Sequence, residues 1–283
     1  MISAAVLTRM IRRRLLLPVG WLTATVGLLW VLPIQAVTNG SPVVTRGPYL
    51  QAGGATNVTV RWRTDVPGDS VVRYGASLSD LNLVARDATL TTEHQVRLTA
   101  LSPDTKYFYS VGTTDSSLAG DESFSFITSP INARPTRIWA IGDSGTANDY
   151  VRSVHAAYTN YTAARRTDLW LMLGDNAYTT GADTEYQAAV FDLFPVLLRQ
   201  TVLWPTIGNH DPLSATLADF PYLHIFSPPE NGEAGGLPSH SVRYYSFDYA
   251  NIHFVSLDST TSDRSTNGPM WDWLRQDLTT NDH

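Results

Sequence analysis

Three short turns hold the side chains of this 283-residue chain best suited to chemistry: Gly142-Asp143-Ser144-Gly145, Gly174-Asp175-Asn176-Ala177-Tyr178 and Gly208-Asn209-His210-Asp211. One Gly-Asp after a strand would carry little weight, because it is usually a turn or a helix cap. Three are different, since Asp143, Asp175 and Asn209 follow one another at roughly 30-residue intervals, the length of a strand-helix-strand repeat. Two carboxylates, an amide oxygen and a phenol brought to one point are hard oxygen donors, whose natural occupant is a metal ion or a pair of them. Without a cation the carboxylates would repel; two cations about 3.5 to 4 Å apart would share one as a bridge. Asp175, on the middle turn, is the expected bridge. A tyrosine is normally a neutral phenol at pH 7, so Tyr178 as a ligand implies a strong Lewis acid such as ferric iron.

The elements that must position these groups alternate between strand and helix. Arg137–Ile141, Asp168–Leu173 and Thr201–Ile207 are apolar runs of strand length. Between the first two, residues 148–166 place Val151, Val154, Ala157, Tyr158 and Tyr161 at helical spacing. Between the second and third, Asp183 or Thr184 could cap a helix with Val190, Phe191, Phe194 and Leu197 on its apolar face. This order predicts right-handed βαβ units with parallel strands whose C-terminal ends share one edge, the edge where such sheets bind ligands. The α/β region is expected to span residues 137–283. Near its end, residues 251–258 alternate as a strand that makes His253 a face residue rather than a ligand. Residues 268–278 form a helix with Trp271, Leu274 and Leu278 on one face. His224 and His240 fall in a long loop rich in Pro, Gly and Ser that could border a substrate cleft.

Residues 42–130 read differently. The short runs Asn57–Arg63, Ser70–Tyr74, Glu93–Leu98, Thr105–Val111 and Glu122–Thr128 alternate at period two between turn residues, the pattern of an antiparallel sandwich. Val60 and Trp62 should face its core, and His94 is an ordinary surface or cross-strand residue. Leu101–Tyr107 has the form of a tyrosine corner, in which the hydroxyl bonds back to the chain. This domain is expected to be a structural spacer packed beside the second one; the alternative is a carbohydrate or partner module. Asn39, Asn57 and Asn160 each open a glycosylation triplet. Residues 129–136, with Pro130 and Pro135, form the linker.

At the N-terminus, Arg9, Arg12, Arg13 and Arg14 precede an apolar run from Leu15 to about Ile34, with Ala36 as a cleavage residue. That is the order of a secretory signal over residues 1–36, and a secreted or periplasmic location follows; an uncleaved helix would instead be a membrane anchor. Cleavage would remove four arginines and no acid from a chain already at −6, which disfavours nucleic acid and anionic lipid as partners. No cysteine is present, so disulfides and thiolate metal sites are excluded.

The motifs GDSG, GDNAY and GNHD, behind a fibronectin type III-like domain that opens with Arg46-Gly-Pro-Tyr-Leu-Gln51, resemble the purple acid phosphatases of the calcineurin-like metallophosphoesterase superfamily. Most of that superfamily has a histidine where Gly145 stands; glycine there together with Tyr178 marks the purple acid branch. The resemblance implies an all-β fibronectin type III-like sandwich followed by an α/β metallophosphoesterase domain. It implies a dinuclear centre in which Asp143, Asp175 and Tyr178 hold Fe3+, and Asp175 and Asn209 reach a divalent Fe2+, Zn2+ or Mn2+. His210 would assist the substrate phosphate or the leaving oxygen while a metal-bound hydroxide attacks a phosphate monoester. The family completes its site with three histidines in Val-x-x-His and Gly-His-x-His motifs. Neither motif occurs in the sequence, so a C-terminally truncated chain with impaired metal binding is expected. A phosphodiesterase or nucleotide pyrophosphatase of the same superfamily, and a non-catalytic secreted binding protein, are the alternatives.

Overall fold

The computed structural model describes residues 40–281. The arginine-flanked apolar segment, Asn39 and His283 lie outside them. Among the described residues no helix is long and apolar enough to cross a membrane.

Period-two alternation produces an all-antiparallel N-terminal domain of six strands: β1 (Val44–Gln51), β2 (Val58–Gly75), β3 (Leu83–Leu98), β4 (Lys106–Gly112), β5 (Ser117–Ala119) and β6 (Ser125–Ile127). The long β2 pairs with β1, β3 and β4, in a register that sets Leu50 opposite Val60 and Val72 opposite Val111. Register shifts between Arg63 and Gly68 and between Gly68 and Ser70 interrupt the β2–β3 ladder with bulges, which sharpen the local twist of the strands. Val60 and Trp62 are buried, as their alternation predicts. The Ser102 amide donates to Tyr107 Oη at 3.0 Å, which is the tyrosine corner. His94 is cross-strand but not on the surface: it faces Trp62 at 4.7 Å, is 1% exposed, and bonds Thr64 Oγ1 and Ser70 Oγ. Burial lowers its pKa, so period two located its strand while the flanking hydroxyls decided its face.

The second region begins with β7 (Ile138–Ile141), α1 (Asp149–Thr162), β8 (Leu169–Met172), α2 (Asp183–Tyr186), α3 (Pro195–Leu198) and β9 (Leu203–Pro205). The three strands are parallel in the order β7-β8-β9, with Ile138 beside Leu169 and Trp170 beside Leu203. Asn148 Oδ1 caps α1 by accepting the Tyr150 and Val151 amides. The helical stripe is only partly covered: Val151 is buried and Tyr158 stacks on Trp139 at 4.3 Å, whereas Val154 and Tyr161 are 50% and 74% exposed.

The predicted single helix after Asp183 is broken. A wider turn over Gln187–Phe191 follows α2, and α3 restarts at Pro195, whose ring suits a first helical turn and no later one. The N-cap of α2 is Ala182 rather than Asp183 or Thr184, because the Asp183 carboxylate is taken by two arginines of the sandwich. The apolar positions still serve: Val190, Phe191 and Phe194 are buried.

Beyond these lie α4 (Tyr222–Ile225), the antiparallel hairpin β10 (Tyr245–Tyr249) and β11 (Ile252–Ser256), and α5 (Pro269–Thr280). The buried face of α5 is Met270, Trp273 and Asp277, while Trp271 and Leu278 are 42% and 57% exposed. The apolar spacing misplaces this face because Asp277 is drawn inward by the Leu237 amide, Ser246 Oγ and His253.

The strand that opens the sandwich is also where it docks. Tyr49 Oη donates to the Ile225 carbonyl at 2.6 Å, Gln51 Nε2 to Leu203 O at 2.8 Å, and Leu50 bridges Val202. Tyr49 itself belongs to the core of the second region. Arg61 on β2 adds bonds to the Ile225 and His224 carbonyls. Asn57 is 8% exposed with its amide on Glu233 O, so its triplet is closed to modification in the folded chain, whereas Asn160 is exposed on α1.

Candidate metal centre

Each of the three turns leaves the C-terminal end of one parallel strand, and the turns are laced together by backbone bonds. The Asp143 amide donates to Gly174 O (3.1 Å), the Gly145 amide to Asp175 O (3.1 Å) and the Tyr178 amide to Gly145 O (2.9 Å). Both aspartates have left-handed backbones, φ +53° each, a conformation Asp tolerates better than most residues and one that recurs at functional sites. Two glycines make the approach possible. A Cβ at Gly145 would lie 2.4 Å from Ala177 N, and one at Gly208 would lie 2.0 Å from Asp175 N. A side chain at position 145 therefore has no room while the middle turn is seated.

The result is a tight oxygen cluster. Tyr178 Oη is 2.8 Å from Asp143 Oδ1 and 2.6 Å from Asp175 Oδ2. Its single proton can satisfy only one of them. Burial, then the bonds to Asp175 and Asp143, raises the phenol pKa well above its ordinary value. Asp143 is exposed and Asp175 is 7% exposed, so one carboxylate faces solvent while the other sits in the floor. Two anionic oxygens and a phenol at such distances fit a cation of hard, oxygen-seeking character.

His210 lies against this cluster, its ring 4.6 Å from that of Tyr178. Its amide donates to Asp175 Oδ1 (2.9 Å), and Nδ1–H donates to the Thr179 carbonyl (2.7 Å), which leaves Nε2 free to meet a ligand. Asn209 is exposed on the same turn, and its side chain bonds none of the described residues. The structure thus brings Asp143, Asp175, Tyr178 and His210 into contact and puts Asn209 beside them. Among the described residues no three His, Asp or Glu side chains gather in metal-binding geometry.

Asp211 has no role assigned by sequence, yet it is the hub beneath the cluster. Fully buried, it accepts the amides of Asp175, Asn176 and Gly208, the Asn176 side chain and the Tyr186 hydroxyl. Burial raises its pKa to about 6 against these bonds, which pull the other way. Glu185 gathers amides in the same way, farther from the cluster. It accepts those of Thr179, Thr180 and Ala182 and lies below the ordinary carboxylate range, because those amides outweigh its desolvation. The signal available in sequence was an acid beside a glycine-rich turn whose several amides need an acceptor.

The remaining histidines lie elsewhere. His224, on α4 rather than in a loop, pairs with Asp219. His240 bonds the Glu230 carbonyl through its amide. His253 is a strand residue, but its ring is held between Asp248 (2.6 Å) and Asp277 (2.8 Å).

Residues 136–282 match the family model described as Calcineurin-like phosphoesterase, the class that the strand edge and its carboxylates define, and residues 46–129 match Purple acid Phosphatase, N-terminal domain. The chain is 31% identical over 266 residues to Purple acid phosphatase 21 of Arabidopsis thaliana, covering 87% of this chain and 56% of that one. It is 26% identical to Phosphoenolpyruvate phosphatase of Allium cepa, covering 83% and 50%. The solved structure of PhoD shares the fold, with a TM-score of 0.50 at 12% identity over 77% of this chain and 52% of that one. The chain belongs to the purple acid phosphatase family of calcineurin-like phosphoesterases. It spans about half the length of the curated relatives it matches.

Proposed function

We propose that the chain carries the phosphate-ester-cleaving centre of a metal-dependent acid phosphatase acting on phosphate monoesters. The observation that carries this reading is the convergence of Asp143 Oδ1, Asp175 Oδ2 and Tyr178 Oη at the C-terminal edge of the parallel sheet. Asp143, Asp175 and Tyr178 would hold a ferric ion, and Asp175 with Asn209 a divalent iron, zinc or manganese. When bound, such ions neutralise phosphate charge and make water nucleophilic near neutral pH.

The chain's own residues do the rest. His210, fixed through Nδ1 by the Thr179 carbonyl, presents Nε2 to the ester; protonated there, it donates to the departing alkoxide oxygen. Asp211 and the two close-packed glycines hold the turns so that ligands and histidine need not reorganise during reaction. The arginine-flanked apolar segment supports an exported protein working outside the cytoplasm.

The test is hydrolysis of p-nitrophenyl phosphate by the iron- and zinc-supplemented chain, compared with its bis ester. Asp175→Ala should lower turnover about a thousandfold or more; turnover retained in that variant overturns the reading. Preference for the bis ester would assign a diesterase instead.

A further inference from the structure

We infer that Arg46 and Arg63, both on the sandwich domain, are positioning residues for the turn that carries Tyr178 and for His210, acting through Asp183 and Glu185. The inference deepens the phosphatase reading by making the N-terminal domain a component of the working site rather than a spacer.

The chain of contacts is continuous. Arg46 Nη1 and Nη2 meet Asp183 Oδ1 and Oδ2 at 2.9 and 3.0 Å; Arg63 Nη1 and Nη2 meet Oδ2 and Oδ1 at 2.7 and 2.9 Å. One carboxylate therefore receives two forks, the geometry that fixes a group most firmly in position and orientation. Arg46 is 2% exposed, lies over the Phe191 ring at 4.5 Å, and also donates to Gln187 Oε1 and the Asp183 carbonyl.

Asp183 is the first residue of α2, and two residues later the same short helix presents Glu185. Glu185 takes the Thr179, Thr180 and Ala182 amides at 2.6, 2.9 and 2.9 Å. The carbonyl of Thr179 is what holds His210 Nδ1. Thr179 directly follows Tyr178. A second branch leaves α2 at Tyr186, whose hydroxyl meets Asp211 Oδ1 at 2.5 Å, and Asp211 holds the Asp175 amide. A helix of four residues has little stability of its own, so its position depends on what grips it. The grip comes from the sandwich, and Glu93 on β3 in turn braces Arg63.

The test reads amide hydrogen exchange at Thr179, Thr180 and Ala182, which needs no activity. Arg63→Gln should speed exchange there about tenfold, leaving the β2–β3 ladder and β8 unchanged. Glu185→Gln should do the same, and the double variant should be no faster than the faster single, as serial links require. In the activity arm, Arg63→Gln lowers kcat on p-nitrophenyl phosphate with little change in KM. Unchanged exchange at Thr179 and Thr180, a uniform rise across both domains, or effects that multiply in the double variant would each overturn the inference. If Arg63→Gln does not fold, Asp183→Asn, which keeps the side chain's shape, is read the same way. A wild-type chain without hydrolysis would defeat the phosphatase reading alone, because the exchange result stands on its own.

Discussion

Two places in this domain set a proton-bearing ring side chain between two aspartates, and they are built for opposite ends. At the sheet edge the pair is Asp143 and Asp175 with Tyr178 between them; behind the β10–β11 hairpin it is Asp248 and Asp277 with His253 between them. Tyrosine brings one proton and no charge, so the first cluster keeps its negative charge and turns one carboxylate to solvent. Histidine can bring two protons and a positive charge, so the second cluster compensates much of its charge within the fold, with Asp277 2% exposed. The difference teaches how to read carboxylate pairs: an unbalanced pair at an open edge keeps its charge available to a ligand, and a balanced pair under a helix is a fastening.

The sharpest way to break this contrast is to remove one charge from each cluster. Asp143→Asn should lower phosphatase turnover by about a thousandfold while leaving the metal-free melting temperature unchanged or raised, because it relieves repulsion. Loss of stability there, comparable to that of a core substitution, would show that the first cluster is also structural. Asp277→Asn is the converse. It leaves His253 and Ser246 partly unsatisfied beneath α5, and should cost about 3 kcal/mol of unfolding free energy, read by urea denaturation. Turnover per folded molecule should stay the same. A selective drop in kcat at full stability would join the two clusters functionally.

How much of this was legible beforehand follows the same division. The sheet edge was legible because backbone topology does the work: three apolar runs at one repeat length put their turns side by side whatever the side chains do. Tyr178 and Asp143, 35 positions apart, meet for that reason. Asp277 was not legible, since an acid at a helical position reads as solvent-facing until its partners on a distant hairpin are known. Trp271, an aromatic that pattern alone would bury, is exposed for the matching reason. The pairing of Arg46 with Asp183 was not legible either, the two charges lying 137 positions apart with nothing local to couple them. Asp211 was visible as a residue and invisible as a hub, because its five donors come from three separate segments.

The smallest effect follows from the charge on His253. Burial pushes its pKa down, but the bonds to Asp248 and Asp277 and their charges outweigh burial and leave it raised above the ordinary value. The groups that face it are those two carboxylates, from β10 and α5, and the Asn281 amide 2.6 Å from Nδ1. A histidine with a raised folded-state pKa binds its proton more tightly folded than unfolded, so its contribution is fully present below the unfolded value of about 6.5 and lost as pH rises through the folded value. The fastening is therefore strongest at acidic pH. Melting temperatures of the wild type should fall from pH 5.5 to pH 8.5 by more than those of His253→Asn, and the difference between the two profiles isolates this one group from every other that titrates in the interval. Parallel profiles would mean that folding leaves the imidazole's proton affinity unchanged, because a ring kept neutral in the fold would instead make the wild type gain stability relative to His253→Asn as pH rises. The two carboxylates would then lend the imidazolium no net stabilisation, and the contrast between the clusters would rest on burial alone.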